Sequence, residues 1–220
     1  MTVSVAARDG YVVPSRGREE FAFRGRRCRV VGSSEPRRFH YNCRVHLHRG
    51  NLFLVGLPGA GKSTLGRQLA RRLDKTFVDA DAELERKLGV TIPTIFEIEG
   101  EASFRDREEA TLVELTALTN IVLATGGGVV IRPANRELLK AYGTVVYLHS
   151  LPDTLFERTR RSRHRPLLNT ADRAGRLAEL YVARDPLYRE VAECVVESGR
   201  DEIARFAREL ETAHRSAMDA

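Results

Sequence analysis

Five short apolar, β-branched runs, NLFLVG (51–56), TFVDA (76–80), IVLAT (121–125), TVVYLH (144–149) and CVVES (194–198), punctuate the last 170 residues of the chain. Most of their positions are apolar in succession, which suits strands covered on both faces. Amphipathic helical patterns separate them over 62–73, 81–88, 101–118, 133–141, 152–162, 173–191 and 201–217, with a short turn near 93–98. This alternation predicts an α/β fold of three αβα layers, a parallel sheet with helices on both faces. No internal repeat interrupts it.

Residues 1–49 lack any sustained period and read as a basic, disordered N-terminal extension, leaving 50–220 as the folded domain. The formal charge of +6 comes entirely from the extension: residues 1–50 hold 11 Arg, no Lys and 4 acidic residues, whereas residues 51–220 hold 25 basic and 26 acidic ones. The overall charge therefore gives no reason to expect specific nucleic-acid binding by the domain. An Arg-rich, acid-poor start also has the composition of an organellar transit peptide. No stretch is apolar enough for a membrane span or a secretory signal, so a cytoplasmic protein without membrane attachment is expected. Cys28, Cys43 and Cys194 form no C-x-x-C pair and read as reduced thiols, and the run Cys28, His40, Cys43, His46, His48 matches no common zinc spacing.

GLPGAGKST (56–64) joins the first strand of the domain to its first helix. Gly56, Gly59 and Gly61 let the backbone curl with its N–H groups inward, and the helix contributes its positive end, so the segment is a phosphate-binding loop. Lys62 then meets the β- and γ-phosphates and the Ser63 hydroxyl ligates Mg²⁺. None of the four lysines lies in an N-K-x-D guanine-reading segment, which favours ATP.

FVDADAEL places Asp79 and Asp81 at the end of the second strand, where a strand-like period points both the same way. One is suited to hold Mg²⁺ through water and the other to accept or position a hydroxyl proton. The competing reading is a helix cap supplied by Asp81. Arg105, in GEASFRDREE, reads first as a surface ion-pair partner. Gly126, Gly127 and Gly128 follow a buried strand directly, so their amides can approach a ligand closely. Arg158, Arg160, Arg161, Arg163 and Arg165 crowd the segment before Pro166, as a lid delivering a guanidinium to a transferring phosphoryl group would. Arg184 stands just before what reads as a proline turn at Pro186.

Taken in order, GLPGAGKST, FVDADAEL, IFEIEGEASFRDRE, ATGGGVV, RHRPLL and RDPLYREVA resemble the shikimate kinases, from about Asn51 to Leu210. The resemblance implies ATP-dependent phosphorylation of the shikimate 3-hydroxyl in aromatic amino-acid biosynthesis, by a P-loop kinase fold with strand order 2-3-1-4-5 and a lid. It implies catalytic roles for Lys62, Asp81 and Arg165, and shikimate binding by Asp81, Arg105, Gly126, Gly127, Gly128 and Arg184, the two arginines clamping the carboxylate. ATP binding falls to Gly59, Ala60, Gly61, Lys62, Ser63, Thr64, Arg158, Arg165 and Arg200, with Arg158 near the adenine, and Mg²⁺ to Ser63 and Asp79. Glu101 and Phe104 would shape the pocket beside Arg105. Pro58, where many relatives carry methionine, removes an N–H from the loop. A monomer is expected.

The alternatives are a kinase of gluconate or of a nucleoside monophosphate, which should not need Arg105, Arg184 and the glycine triplet together, and a ligand sensor of the kind fused to DNA-binding domains. A sensor could dispense with Asp81 and Arg165, and both are present.

Overall fold

The computed structural model describes residues 21–23, 26–28, 50–160 and 172–218. Contacts divide the chain into two units, Met1–His40 and Tyr41–Ala220. In the first, β1 (Phe21–Phe23) pairs antiparallel with β2 (Arg26–Cys28). A ladder of three residues a side is too short to leave a readable period in the sequence.

The second unit holds a five-stranded parallel sheet of β3 (Leu52–Val55), β4 (Thr76–Asp79), β5 (Ile121–Ala124), β6 (Thr144–His149) and β7 (Cys194–Glu197). Its spatial order is β4-β5-β3-β6-β7, which is the expected 2-3-1-4-5 counted from β3. All residues of β3, β5 and β6 are buried, as uninterrupted apolar runs require, while the edge strand β4 is partly exposed. Among the described residues, seven helices flank the sheet: α1 (Lys62–Arg72), α2 (Ala80–Leu88), α3 (Ile92–Thr116), α4 (Pro133–Tyr142), α5 (Pro152–Thr159), α6 (Arg173–Val191) and α7 (Arg200–Met218).

Adjacent residues of β3 show how the layers meet. Leu54 faces α1, where a side chain at Gly66 would come within 3.3 Å of it, and Phe53 faces the end of α4 at Gly143. Helix α7 packs beside α1, and α6 and α3 pack beside α4. At the amino ends of the strands, buried Asn51 ties the sheet together: its Nδ2 donates to Leu118 O at 2.7 Å and its Oδ1 accepts from Ile121 N at 3.1 Å. No described helix is long and apolar enough to cross a membrane.

Four sequence expectations change. The segment 93–98 is not an isolated turn but the first part of α3, which is reoriented at Gly100 (φ 79°, ψ 177°) before Glu101. Pro186 lies inside α6 rather than in a turn, so Arg184 is a helical residue one turn before Tyr188. Asp81 belongs to the first turn of α2, and Asp79, not Asp81, is the cap, its carboxylate accepting from Ala82 N at 3.4 Å. Finally, Cys194 is buried and disulfide-bonded rather than a free thiol.

Gly143 has ordinary extended backbone, yet a Cβ there would lie 2.6 Å from Cε2 and 2.8 Å from Cζ of Phe53, a ring with no exposed surface. Gly143→Ala should therefore destabilise the domain by about 1–3 kcal/mol through overpacking, read as a lower urea midpoint at unchanged m-value.

Candidate active site

The loop between β3 and α1 has the backbone its glycines predict. Gly56, Gly59 and Gly61 take φ of 145°, 93° and 97°, and a Cβ at Gly56 would also strike Leu148 O at 2.6 Å. Gly61 caps α1 without a side-chain hydrogen bond, and no acidic residue occupies the first turn. The helix thus presents amide donors and a positive dipole end to an incoming anion. Lys62 Nζ donates to Gly56 O at 2.7 Å and Leu57 O at 3.2 Å, holding its charge over the same loop. Ala60 N donates to Leu57 O at 3.1 Å, and Thr64 is exposed one position after Ser63.

Ser63 Oγ donates to Asp79 Oδ2 at 2.6 Å. The two residues come from α1 and β4 and offer only hard oxygen donors, the chemistry of a Mg²⁺ site that completes its shell with phosphate and water. Among the described residues no group of three or more His, Cys, Asp or Glu is placed to hold a metal by itself.

Asp81 keeps some accessible surface, but enough protein surrounds its carboxyl to push the pKa up to about 6. Burial is the main cause; Lys62 opposes it, and the carboxylates of Asp79, Glu108 and Glu85 add to it.

The glycine triplet fits around these groups. A Cβ at Gly126 would sit 2.7 Å from Asp81 Oδ1 and 2.7 Å from Glu108 Oε1, one at Gly127 would sit 2.8 Å from Pro58 Cδ, and one at Gly128 would sit 2.1 Å from Arg105 Nη1. The missing side chains make room for the protein's own reactive groups as well as for a ligand.

Arg105 is not a surface residue. It is 6 % exposed, with Nη1 on Glu108 Oε2 at 2.7 Å and Nη2 on Glu101 Oε1 at 2.8 Å. Residues 101, 105 and 108 form one stripe of α3, aimed by the break at Gly100. Burial opposes the charge on Arg105, but Glu108 and Glu101 outweigh it and raise the pKa. Burial also raises the pKa of Glu108 despite the nearby guanidinium, and the Nε of Arg105 and Oε1 of Glu108 have no partner among the described residues. Phe104 belongs to a small core with Leu84 and Ile95, its ring 4.6 Å from that of Phe96.

Arg184 arrives from α6. It is 5 % exposed and donates from Nη1 to Gly127 O at 3.0 Å. Its pKa is lowered, mainly by burial and further by the positive charge of Arg105. Two buried guanidinium groups that disfavour one another, beside an open run of glycine, have the chemistry to receive an anion such as a carboxylate.

Arg158 is anchored at the end of β7, donating to Ser198 Oγ at 2.7 Å and Ser198 O at 2.6 Å. Arg200 is exposed at the start of α7, two residues further on. Arg165 lies outside the described residues. Sequence reading missed Glu108, whose signal is its i+3 spacing from Arg105, and Pro58 as the neighbour of Gly127, for which no local signal exists.

The family model described as shikimate kinase matches residues 58–214. The chain belongs to the shikimate kinase family. It is 60% identical over 159 residues to the shikimate kinase of Cupriavidus pinatubonensis, covering 72% of this chain and 83% of that one. With the shikimate kinase of Dechloromonas aromatica the identity is 61% over 150 residues, covering 68% and 82%. Among solved structures, shikimate kinase from Acinetobacter baumannii in complex with shikimate matches with a TM-score of 0.72 and 46% identity, over 77% of this chain and 94% of that one. The shikimate kinase match thus includes Lys62, Asp79, Asp81, Arg105, the glycine triplet and Arg184.

The buried and exposed ion pairs of this family member should respond differently to truncation. Glu108→Ala leaves a buried guanidinium short of a partner and should cost about 3 kcal/mol in urea unfolding. Glu83→Ala, which removes the partner of the largely exposed Arg86, should leave the urea midpoint essentially unchanged.

Proposed function

We propose that the protein is an ATP-dependent shikimate 3-kinase, yielding shikimate 3-phosphate and ADP for aromatic amino-acid biosynthesis. The observation that carries this reading is the meeting, at the carboxyl edge of one sheet, of a phosphate loop, a carboxylate in Asp81 and two buried arginines in Arg105 and Arg184. Each matches one part of the reaction: an anionic donor, an acceptor hydroxyl and a substrate carboxylate.

The backbone of Gly59–Gly61, with Lys62, Ser63 and Thr64, holds the triphosphate. Lys62 leaves its loop carbonyls for the β- and γ-phosphates, where its charge offsets that gathering on the transferred group. Arg105 and Arg184 grip the shikimate carboxylate and fix the ring over Gly126–Gly128, so that the 3-hydroxyl lies against Asp81. The hydroxyl oxygen bonds to the γ-phosphorus as the bond to the ADP oxygen breaks, and the hydroxyl proton passes to Asp81. Ser63, and Asp79 through water, would hold Mg²⁺, which would supply neutralisation of the phosphate charge. Arg158 and Arg200, flanking the end of β7, suit the adenine end, and Arg165 is assigned to the transferred phosphate through its family motif. The enzyme is taken to act as a cytoplasmic monomer, with residues 1–49 an extension to the catalytic unit 50–220.

The test is ADP release with Mg²⁺ and ATP, with and without shikimate, from the full chain and from residues 50–220. Shikimate-dependent release of similar rate from both is expected; release indifferent to shikimate overturns the substrate, and loss confined to the shorter chain overturns the domain division. Arg184→Ala should raise the KM for shikimate at least about tenfold, as loss of a charged hydrogen bond does, and leave that for ATP within about twofold. Equal effects on both would remove the carboxylate clamp and favour another substrate.

A further inference from the structure

We infer that Tyr188 is a positioning residue of the carboxylate clamp: by holding the Gly127 carbonyl it frees Arg184 to leave that carbonyl for the substrate. The inference rests on the shikimate kinase reading and adds a residue to it.

Arg184 and Tyr188 stand one turn apart on α6, and both donate to the same atom, Gly127 O, through Nη1 and the phenol respectively. Gly127 is also fixed from its α-carbon side, where it abuts the Pro58 ring of the phosphate loop. The carbonyl is therefore the joint between the nucleotide loop, the glycine triplet and the arginine that grips the acid.

The phenol itself is held from behind. The Tyr188 ring has no exposed surface and stacks on Tyr147 of β6, centroids 4.9 Å apart and planes at 28°. Tyr147 OH donates to Asp185 Oδ1 at 2.9 Å, while Asp185 Oδ2 accepts from Arg189 Nε at 2.8 Å. The path from β6 through Asp185 returns to α6 beside Arg184 itself, so helix, strand and loop keep one register. Burial raises the pKa of Tyr188, and the phenol remains a donor.

A carboxylate ligand competes with Gly127 O for the Arg184 guanidinium. If Arg184 were the carbonyl's one partner, each binding event would strand a polar group in the protein interior, and that cost would be charged against affinity. With Tyr188 in place, the carbonyl keeps a donor while the guanidinium turns to the acid. Tyr188 does this without touching substrate.

Tyr188→Phe keeps the ring and its stack and removes the hydroxyl alone. Steady-state kinetics of the full chain should show the shikimate KM raised about tenfold, with kcat and the ATP KM within about twofold. In an Arg184→Ala background the same substitution should leave the shikimate KM unchanged, since no guanidinium remains to be released. An unchanged shikimate KM in the otherwise native chain overturns the inference. So does an equal rise in the Arg184→Ala background, or a fall in kcat with both KM values raised, which a merely structural tyrosine would give. Absence of shikimate turnover in the unsubstituted chain is a separate result, overturning the functional reading and this inference with it.

Discussion

The site depends on the hydrogen-bond ladders that hold β3 between β5 and β6. Leu54 is in register with Ala124 on one side and Val55 with Tyr147 on the other, so β3 and β5 end within a residue of one another, while β6 runs two residues further to His149 beside β7. The chain leaves that edge in opposite directions about β3, towards β4 and β5 on one side and β6 and β7 on the other. The crevice so formed is where ligands of open parallel sheets bind. Gly56 opens the phosphate loop there, Thr125 leads into the glycine triplet, and Asp79, in register with Ala124, ends β4 at the same height. A slip of one residue in either ladder would turn Phe53 and Leu54 to the wrong layers and carry the loop away from Asp79.

Charge is sorted across this edge rather than balanced at each point. Lys62 stands over carbonyls of the phosphate loop, Asp79 is tied to Ser63, and the pKa of Asp81 is raised mainly by burial and further by the carboxylates around it. Arg105 and Glu108 neutralise one another in a buried pair. On the proposed reading, phosphate and carboxylate would therefore have separate cationic receptors, with Asp81 placed for the hydroxyl. In surroundings that exclude water, such fixed charges act more strongly than they would at the surface.

Much of this was legible in the sequence, for physical reasons that differ by residue. Strands buried on both faces have to be apolar throughout, so β3, β5 and β6 declared themselves. The phosphate loop was legible because left-handed backbone at Gly59 and Gly61 followed by a helix start restricts which residues can occur. Arg105 was misread because local sequence shows its acidic neighbours but not its burial; the break at Gly100 that turns it inward is a tertiary event. Asp79 does end the second strand, whereas Asp81 belongs to the next element, since the strand ends at the cap and only hydrogen bonding reveals which aspartate supplies it. Pro186 suggested a turn because proline usually ends a helix, whereas here packing of α6 on β6 overrides the lost N–H. Tyr188 and Pro58 carry no signal at all in one dimension, because their meaning lies in Gly127, more than fifty residues from either.

The two arginines of the clamp are not equivalent, and the difference follows from their partners. Arg105 already has two carboxylates within 2.8 Å, so a ligand acid adds to a charge that is largely neutralised. The described residues give Arg184 a carbonyl acceptor but no carboxylate at ion-pair distance, and burial lowers its pKa. An acid arriving at Arg184 therefore relieves an uncompensated buried charge, while at Arg105 it gains mainly direction from a guanidinium locked in place by Glu101 and Glu108. On the proposed reading, affinity for the carboxylate would reside chiefly in α6, and orientation of the ring chiefly in α3. That division explains why the more weakly compensated arginine is the one supported by a tyrosine, a stacked ring and a strand behind it.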